Sequence, residues 1–421
     1  MSEASKDASS GRPRSIGLAM AGGGPGGAVY EIGALKALEE AVDGLDVNDF
    51  DIYVGVSAGA FIGACLANRL TPTQMCRAIV SRDPGDHPFV PETFLTPAFK
   101  ELGRRLVSIP GRVVDILTHY LQNPQDALFG ESVSRLAQAL PVAVFDNEPM
   151  RAYLEKIYTI KDRTDDFRQL RKPLIVVAAD LDAGKAVRFG APGWDHVPIS
   201  RAVQASTALP GLYPPVEIDG RHYVDGVLLR TLHASIALEA GVDLLLCLNP
   251  IVPFNTQKAV REGLLRTGKL TERGLPAVLS QSLRTLIHSR LDVGMAAYKR
   301  RFDADVLLLE PKRDDYRMFF TNIFGFADRQ AVCEHAYEQT RQELLSRYEE
   351  LAPIFEKHGL RLRRDVLEGR QRDLWRDVGL PHLSTKKRQP SARKPRTAGL
   401  EVVRDLDRAL ARLEALVENE S

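Results

Sequence analysis

The stretch Asp51-Ile-Tyr-Val-Gly-Val-Ser-Ala-Gly-Ala60 sets an apolar, β-rich run directly against a Gly-x-Ser-x-Gly turn, with Ser57 between Gly55 and Gly59. A strand that turns sharply into a helix leaves no room for side chains beside the corner, so glycines are required on both sides. The turn then pushes the serine oxygen clear of the backbone. Downstream, Ala60-Phe-Ile-Gly-Ala-Cys-Leu-Ala67 is apolar and compatible with a helix. The strand, turn and helix that a nucleophile elbow needs are all present, and Ser57 is a candidate nucleophile. Taken alone the pattern is also that of a small-residue turn.

The chain around this elbow is 421 residues long, enough for one large α/β domain with appendages. Its formal net charge of +1 excludes a dedicated nucleic-acid binder. The first fourteen residues are small and polar, with no apolar core of a leader peptide, and no later stretch has the length of a membrane span. A soluble, cytoplasmic protein is expected. Cys65, Cys76, Cys247 and Cys333 are widely and irregularly spaced, which suggests reduced core thiols rather than a zinc site or a disulfide framework.

Working outward, Ser15-Ile-Gly-Leu-Ala-Met20 reads as a first strand, Gly22 to Gly27 as a loop, and Ala28 to Val42 as a periodic helix. Residues 91–141 look mostly helical and form an insertion. Strands return at Pro173–Ala179 and Ala186–Phe189, followed by a short helix at Ile199–Ser206. A hairpin over Val216–Val224 turns at Asp219-Gly220. Val242–Leu248 and Asp305–Leu309 are too apolar to be half-exposed and read as interior parallel strands. Alternating strands and helices predict an α/β fold, three layers with helices on both faces of a mostly parallel central sheet, and ligands at the carboxyl ends of the strands. The expected division is a disordered tail over 1–14, a main domain over 15–328, a helical extension over 329–380, and a basic, proline-containing linker with a terminal helix over 381–421. Arg361 to Arg396 holds twelve Lys/Arg against four Asp/Glu.

Gly22, Gly24 and Gly27 fit Gly-x-Gly-x-x-Gly between a strand and a helix, the setting of a dinucleotide-binding loop. Such a loop needs an acid near the end of the second strand, but that strand ends at Gly55-Val56-Ser57 and its acid, Asp51, lies at the other end. A glycine run at a helix N-terminus can equally offer backbone N–H groups to an oxyanion, and the neighbouring serine elbow favours that reading. A serine nucleophile needs a base. One set is Asp180 or Asp182 with His196, His222 or His233; the other is Asp225 acting directly, strengthened as a base by burial. Locally, Asp225-Gly226 also has the chemistry of a plain turn.

Three elements together, Gly22-Gly-Gly24, Gly55-Val-Ser-Ala-Gly59 and Asp225-Gly226, resemble the patatin-like phospholipase family of lipid acyl hydrolases. The string Ala205-Ser-Thr-Ala-Leu-Pro-Gly-Leu-Tyr-Pro-Pro215 leading to Asp225 is similar as well. The resemblance covers about 15–250, reaching toward 311. It implies a patatin-like fold and a Ser57–Asp225 dyad with no histidine. It also implies oxyanion donors from the Gly22-Gly23-Gly24 loop, Gly23 and Gly24 in particular, to which the elbow adds the N–H of Ala58. Neither metal nor organic cofactor is implied. The chain departs from the family's pattern at Pro25-Gly26, where a Lys or Arg is usual, and at Val227, where a small residue is usual.

The expected function is hydrolysis of a carboxylic ester in a phospholipid or other acyl lipid. The alternatives are a non-catalytic lipid- or granule-surface binding protein of the same fold and, third, a dinucleotide-binding oxidoreductase. The partners expected are an acyl lipid and, peripherally, a membrane or a lipid or polymer granule surface. Apolar faces with interspersed Lys100, Arg104, Arg105 and Arg112 offer the insertion as an interfacial element. The stripe Leu279, Leu283, Leu286-Ile287, Leu291 and Met295 is assigned to the core.

Overall fold

The computed structural model describes residues 14–81, 96–97, 143–261, 263, 268–315, 326–369 and 373–380. Strand β1 (Ile16–Met20) passes through Ala21, Gly22 and Gly23 into helix α1 (Gly24–Ala41), which ends at β2 (Val42–Asp43). The glycine run is therefore half loop and half first helical turn. Pro25 falls at the second helical position, where its missing N–H has no intrahelical partner to lose. The elbow strand β3 (Ile52–Val56) feeds α2 (Ala58–Ala67), and α3 (Pro72–Met75) is closed by a capping box between Thr71 and Gln74.

The short strands β4 (Thr96–Pro97) and β5 (Phe145–Asp146) pair antiparallel, so the expected helical insertion includes a strand at residues 96 and 97. The remainder of 91–141 lies outside the described residues, as do the tail over 1–13 and residues 381–421. Next come α4 (Glu148–Tyr158), β6 (Leu174–Asp180), β7 (Lys185–Phe189), α5 (Ile199–Ser206), β8 (Val216–Ile218) and β9 (Arg221–Asp225). Asp219 and Gly220 both have positive φ, 51° and 73°, as the tight β8–β9 hairpin requires. Beyond them lie α6 (Ser235–Glu239), β10 (Leu244–Leu248), α7 (Thr256–Arg261), the 27-residue α8 (Leu275–Arg301) and β11 (Asp305–Leu309). The last elements are α9 (Phe326–Ser346), α10 (Tyr348–Lys357), β12 (Arg361–Leu362), α11 (Arg364–Glu368) and α12 (Leu374–Asp377).

Eight strands form one mixed sheet in the order β11-β10-β1-β3-β6-β9-β8, with β7 also paired to β6. The five strands from β11 to β6 are mutually parallel, and β7, β8 and β9 add antiparallel pairings. β10 is interior and fully buried, as its sequence predicts. β11, expected to be interior too, is the edge strand, and only two of its five residues are buried. Its backbone is met from outside by Arg347, whose guanidinium donates to the Leu308 carbonyl at 3.3 Å. Two layers of helix cover the sheet. Gly33 of α1 is crossed closely by α9: a Cβ there would stand 2.3 Å from the Cys333 carbonyl oxygen. All four cysteines are free and buried. The chain divides into two compact units, Met1–Val378 and Gly379–Ser421.

Chain order along the sheet reverses at β1, whose neighbours are β3 on one side and β10 on the other. In an open α/β sheet the crevice above such a reversal is where ligands sit. Both the glycine turn after β1 and Pro250 after β10 border it, packed so tightly that a Cβ on Gly23 would lie 2.6 Å from the Pro250 ring.

Candidate active site

Ser57 leaves β3 at φ 53° and ψ −119°, a backbone conformation that a non-glycine residue adopts only when its surroundings impose it. The surroundings do so through glycines. A Cβ on Gly59 would fall 2.4 Å from the Met20 carbonyl oxygen, and one on Gly55 would fall 2.5 Å from Ala60 Cα. The Gly59 N–H donates to the Ala21 carbonyl at 3.0 Å, fastening the first turn of α2 to the end of β1. The Ser57 N–H donates to Ser206 Oγ at 2.9 Å, and Ser206 Oγ donates to the Val177 carbonyl at 2.6 Å.

Sheet register brings the second carboxyl-end residue to the same level. Val56 pairs with Val177 in β6, so Ser57 stands level with Ala178; Asp225 pairs with Ala178 from the other side of β6. The serine side chain faces the Asp225 carboxyl across one cavity, near enough to favour its charged form, and Asp225 Oδ1 accepts from the Val227 N–H at 2.9 Å. Both residues are buried, Ser57 to 6% exposure and Asp225 to 2%. Burial pushes the Asp225 carboxyl up to about 7; the Ser57 hydroxyl and the Val227 hydrogen bond pull in the opposite direction but are outweighed. The Asp225 N–H donates to the Ala208 carbonyl at 3.0 Å. The end of α5 thus holds Ser57 through Ser206, and the turn that follows holds Asp225 through Ala208.

The histidines take other partners. His196 lies 3.0 Å from Asp219 and His222 lies 3.8 Å from Asp182, both at the surface. His233 is buried, faces the Gly226 carbonyl at 3.4 Å, and is held neutral to about pH 4 by desolvation. Asp180 accepts from the backbone of Asp182 and Ala183 and from Arg221. Asp51, the acid a dinucleotide site would need, accepts from the Ile16 N–H and from Lys172 at the opposite end of its strand. Of the two base sets, the structure brings only Asp225 to the serine.

Ser57, Ala58, Asp225, Gly23 and Gly24 share one cavity of about 250 Å³, with apolar walls that include Phe61, Leu209, Leu212 and Ile251. The Gly24 and Gly26 N–H groups belong to the first turn of α1 and have no intrahelical acceptor. Gly22 stands behind this wall: a Cβ there would lie 3.1 Å from Ser57 Cβ, so its place in the site is steric. Two contributors carry no local signature in the sequence. One is Ser206, which sits inside the string before Asp225. The other is Arg284, a partly buried guanidinium on α8 that lines the same cavity and donates to the Val252 carbonyl at 3.3 Å.

The profile of the patatin-like phospholipase family matches residues 18–238, more than half of the 421-residue chain. The chain belongs to the patatin-like phospholipase family. Within this patatin-like region lie all the cavity residues named above except Ile251 and Arg284. Over 75 residues the chain is 43% identical to uncharacterized NTE family proteins of Mycobacterium bovis and Mycobacterium tuberculosis, a match spanning 18% of this chain and 19% of each relative. Solved structures with a distant likeness include VipD from Legionella pneumophila, 13% identical, with 80% of this chain and 67% of that one aligned at a TM-score of 0.36. The type III effector protein ExoU is 16% identical, with 80% and 53% aligned at 0.32. Among the described residues no helix is long and apolar enough to cross a membrane.

Proposed function

We propose that the chain is a serine lipid acyl hydrolase in which Asp225 takes the Ser57 proton as the serine oxygen attacks the carbonyl carbon of a lipid ester. The observation that carries this reading is that sheet register sets Ser57, at the end of a strained elbow, level with a buried carboxyl raised to about 7 on the wall of the same cavity. An ordinary aspartate is too weak a base for a serine hydroxyl; one whose charge is poorly solvated gains by accepting the proton. The oxyanion is received by backbone N–H groups of Gly23, Gly24 and Ala58. The Ser57 and Gly59 N–H groups already have acceptors in Ser206 and Ala21, and Pro25 has none to give. The N-terminal ends of α1 and α2 add their dipoles at the same spot.

Collapse of the tetrahedral adduct breaks the ester C–O bond, and protonated Asp225 gives its proton to the leaving alkoxide. Asp225 then deprotonates a water that attacks the acyl-enzyme, and the proton returns to Ser57 as the fatty acid departs. Apolar walls fit an acyl chain, and Arg284 offers a cation in the cavity of a chain whose glycine loop carries none. Membrane or granule contact fits such a substrate.

Turnover of a soluble p-nitrophenyl ester by wild type, Ser57→Ala and Asp225→Asn tests this reading. Both variants should lose roughly 10³-fold or more in kcat while keeping their melting temperatures near or above that of wild type. Undiminished turnover in either would exclude this dyad, and wild-type protein with no turnover above background would transfer support to the non-catalytic lipid-binding alternative.

A further inference from the structure

Helix α8 faces two cavities. Ser280, Leu283, Arg284 and Ile287 line the one above Ser57, whereas Arg290, Val293, Ala297 and Arg301 line a separate groove of about 810 Å³. The opposite wall of the groove brings Arg188 from β7, together with Arg230, His233 and Glu239 from the segment after β9. Four guanidiniums thus meet one carboxylate, in a chain whose charges otherwise almost cancel.

Each arginine is held by contacts that occupy a minority of its five N–H donors. Arg188 pairs with Glu239 at 3.1 Å, Arg290 donates to the Leu228 carbonyl at 2.7 Å, Arg230 lines the groove beside Tyr298, and Arg301 stacks on Phe302 at 5.3 Å. All four side chains are exposed enough to meet an incoming anion. Like charges drawn into one concavity repel, and a bound anion relieves that repulsion.

The dimensions argue for a surface rather than one small ion. Arg290 and Arg301 are eleven residues apart, about 16 Å along the same side of the helix, with Gly294 and Ala297 forming a low floor between them. Val293, which borders the groove, is 69% exposed. Leu286 at 60% and Leu279 at 58% continue the same stripe at seven-residue intervals, two helical turns each. Within α8, Asp292 is the sole acid against Arg284, Arg290, Lys299, Arg300 and Arg301, and it is engaged by His288 and Arg313 at 3.3 and 3.5 Å. An exposed leucine–valine stripe edged by arginine is the pattern of a helix lying in a bilayer interface.

We propose that α8 docks the protein on an anionic lipid surface, with Arg188, Arg230, Arg290 and Arg301 receiving headgroup anions and Leu279, Leu286 and Val293 entering the acyl layer. The same helix borders the Ser57 cavity, so docking brings the cavity wall to the lipid. The inference deepens the acyl-hydrolase reading, but it is tested by binding alone, and the two can fail separately.

The full chain is floated with vesicles of phosphatidylcholine alone and of phosphatidylcholine mixed with phosphatidylglycerol. The proposal expects binding to the mixed vesicles only, a loss of at least ~10-fold in partitioning for the Arg290→Glu/Arg301→Glu double variant, and a further loss for Leu286→Ser. Leu286 is on the surface, so this second variant tests the stripe without burdening the fold; melting temperatures of all forms identify any loss due to unfolding. Equal binding to both vesicle types, or undiminished binding by both variants, overturns the proposal. So does thermal stabilisation by inorganic phosphate that the double variant abolishes, if neither vesicle binds: the groove would then hold a soluble anion.

Discussion

At the residue scale the chemistry turns on a carboxyl that prefers to be neutral. Asp225 must be ionised to take the serine proton, so kcat/KM for a soluble ester should rise with pH and level off above an apparent pKa of about 7. A profile flat from pH 5 to 9 would contradict that assignment. The same raised value has a stability consequence. The folded protein holds this proton more tightly than the unfolded chain, so the stability it contributes is present below the usual aspartate range and lost as pH rises through about 7. Asp225→Asn removes the buried charge while keeping an acceptor for the Val227 N–H. It should therefore abolish turnover yet raise the melting temperature at pH 8, by the equivalent of one to a few kcal/mol, order of magnitude. Its advantage over wild type should shrink at pH 5; thermal melts at the two pH values check this.

At the element scale, the site is an agreement among strand ends, and the glycines enforce it unequally. Gly59→Ala would drive a methyl against the Met20 backbone, which cannot yield without moving β1, and should prevent folding. Gly24 has φ +59° but open space around its Cβ position, so Gly24→Ala should fold and lose about 1 kcal/mol. Soluble yield and thermal melts distinguish the two. Ser206 is the strut between α5, the elbow and β6. Ser206→Ala leaves the buried Ser57 N–H and Val177 carbonyl without this partner, and should cost roughly 1–3 kcal/mol of stability with a fall in kcat larger than any change in KM.

These elements also show what could be read from the chain in advance. The elbow, the β8–β9 hairpin and the limits of α5 were legible because each is dictated by local chemistry: glycines at a corner, Asp-Gly at a tight turn, helical periodicity. The sequence puts the start of α1 at Ala28 and the structure puts it at Gly24, because a glycine run signals loop whereas the crevice beside Pro250 selects small residues within the first helical turn. Ser206 and Arg284 were not legible because their roles come from tertiary contacts with partners far along the chain.

At the scale of the whole molecule, sheet order decides function more than any single motif does. Reversal at β1 opens a crevice at the carboxyl ends, and register sets Ser57 and Asp225 at one level across β6, though the two are separated by most of the family-matched region. Neither fact follows from spacing along the chain. The α/β class did, because continuous apolar strands alternating with helices fit only a covered parallel sheet, yet β11 proved to be an edge whose protection comes from later helices. The α8 stripe is the clearest limit. Apolar residues on a long helix read as core, and Ile287 and Leu291 are buried, but Leu279 and Leu286 on a neighbouring face are exposed. Periodicity alone does not say which of two faces meets the protein.

The central claim is that Ser57 is a nucleophile activated by Asp225, and the most direct measurement is covalent capture by a fluorophosphonate, located by peptide mass. A single adduct is expected on Ser57, formed faster as pH rises through about 7, absent in Ser57→Ala and strongly slowed in folded Asp225→Asn. Folded wild-type protein that takes no label on Ser57, or labels at the same rate in Asp225→Asn, would contradict it.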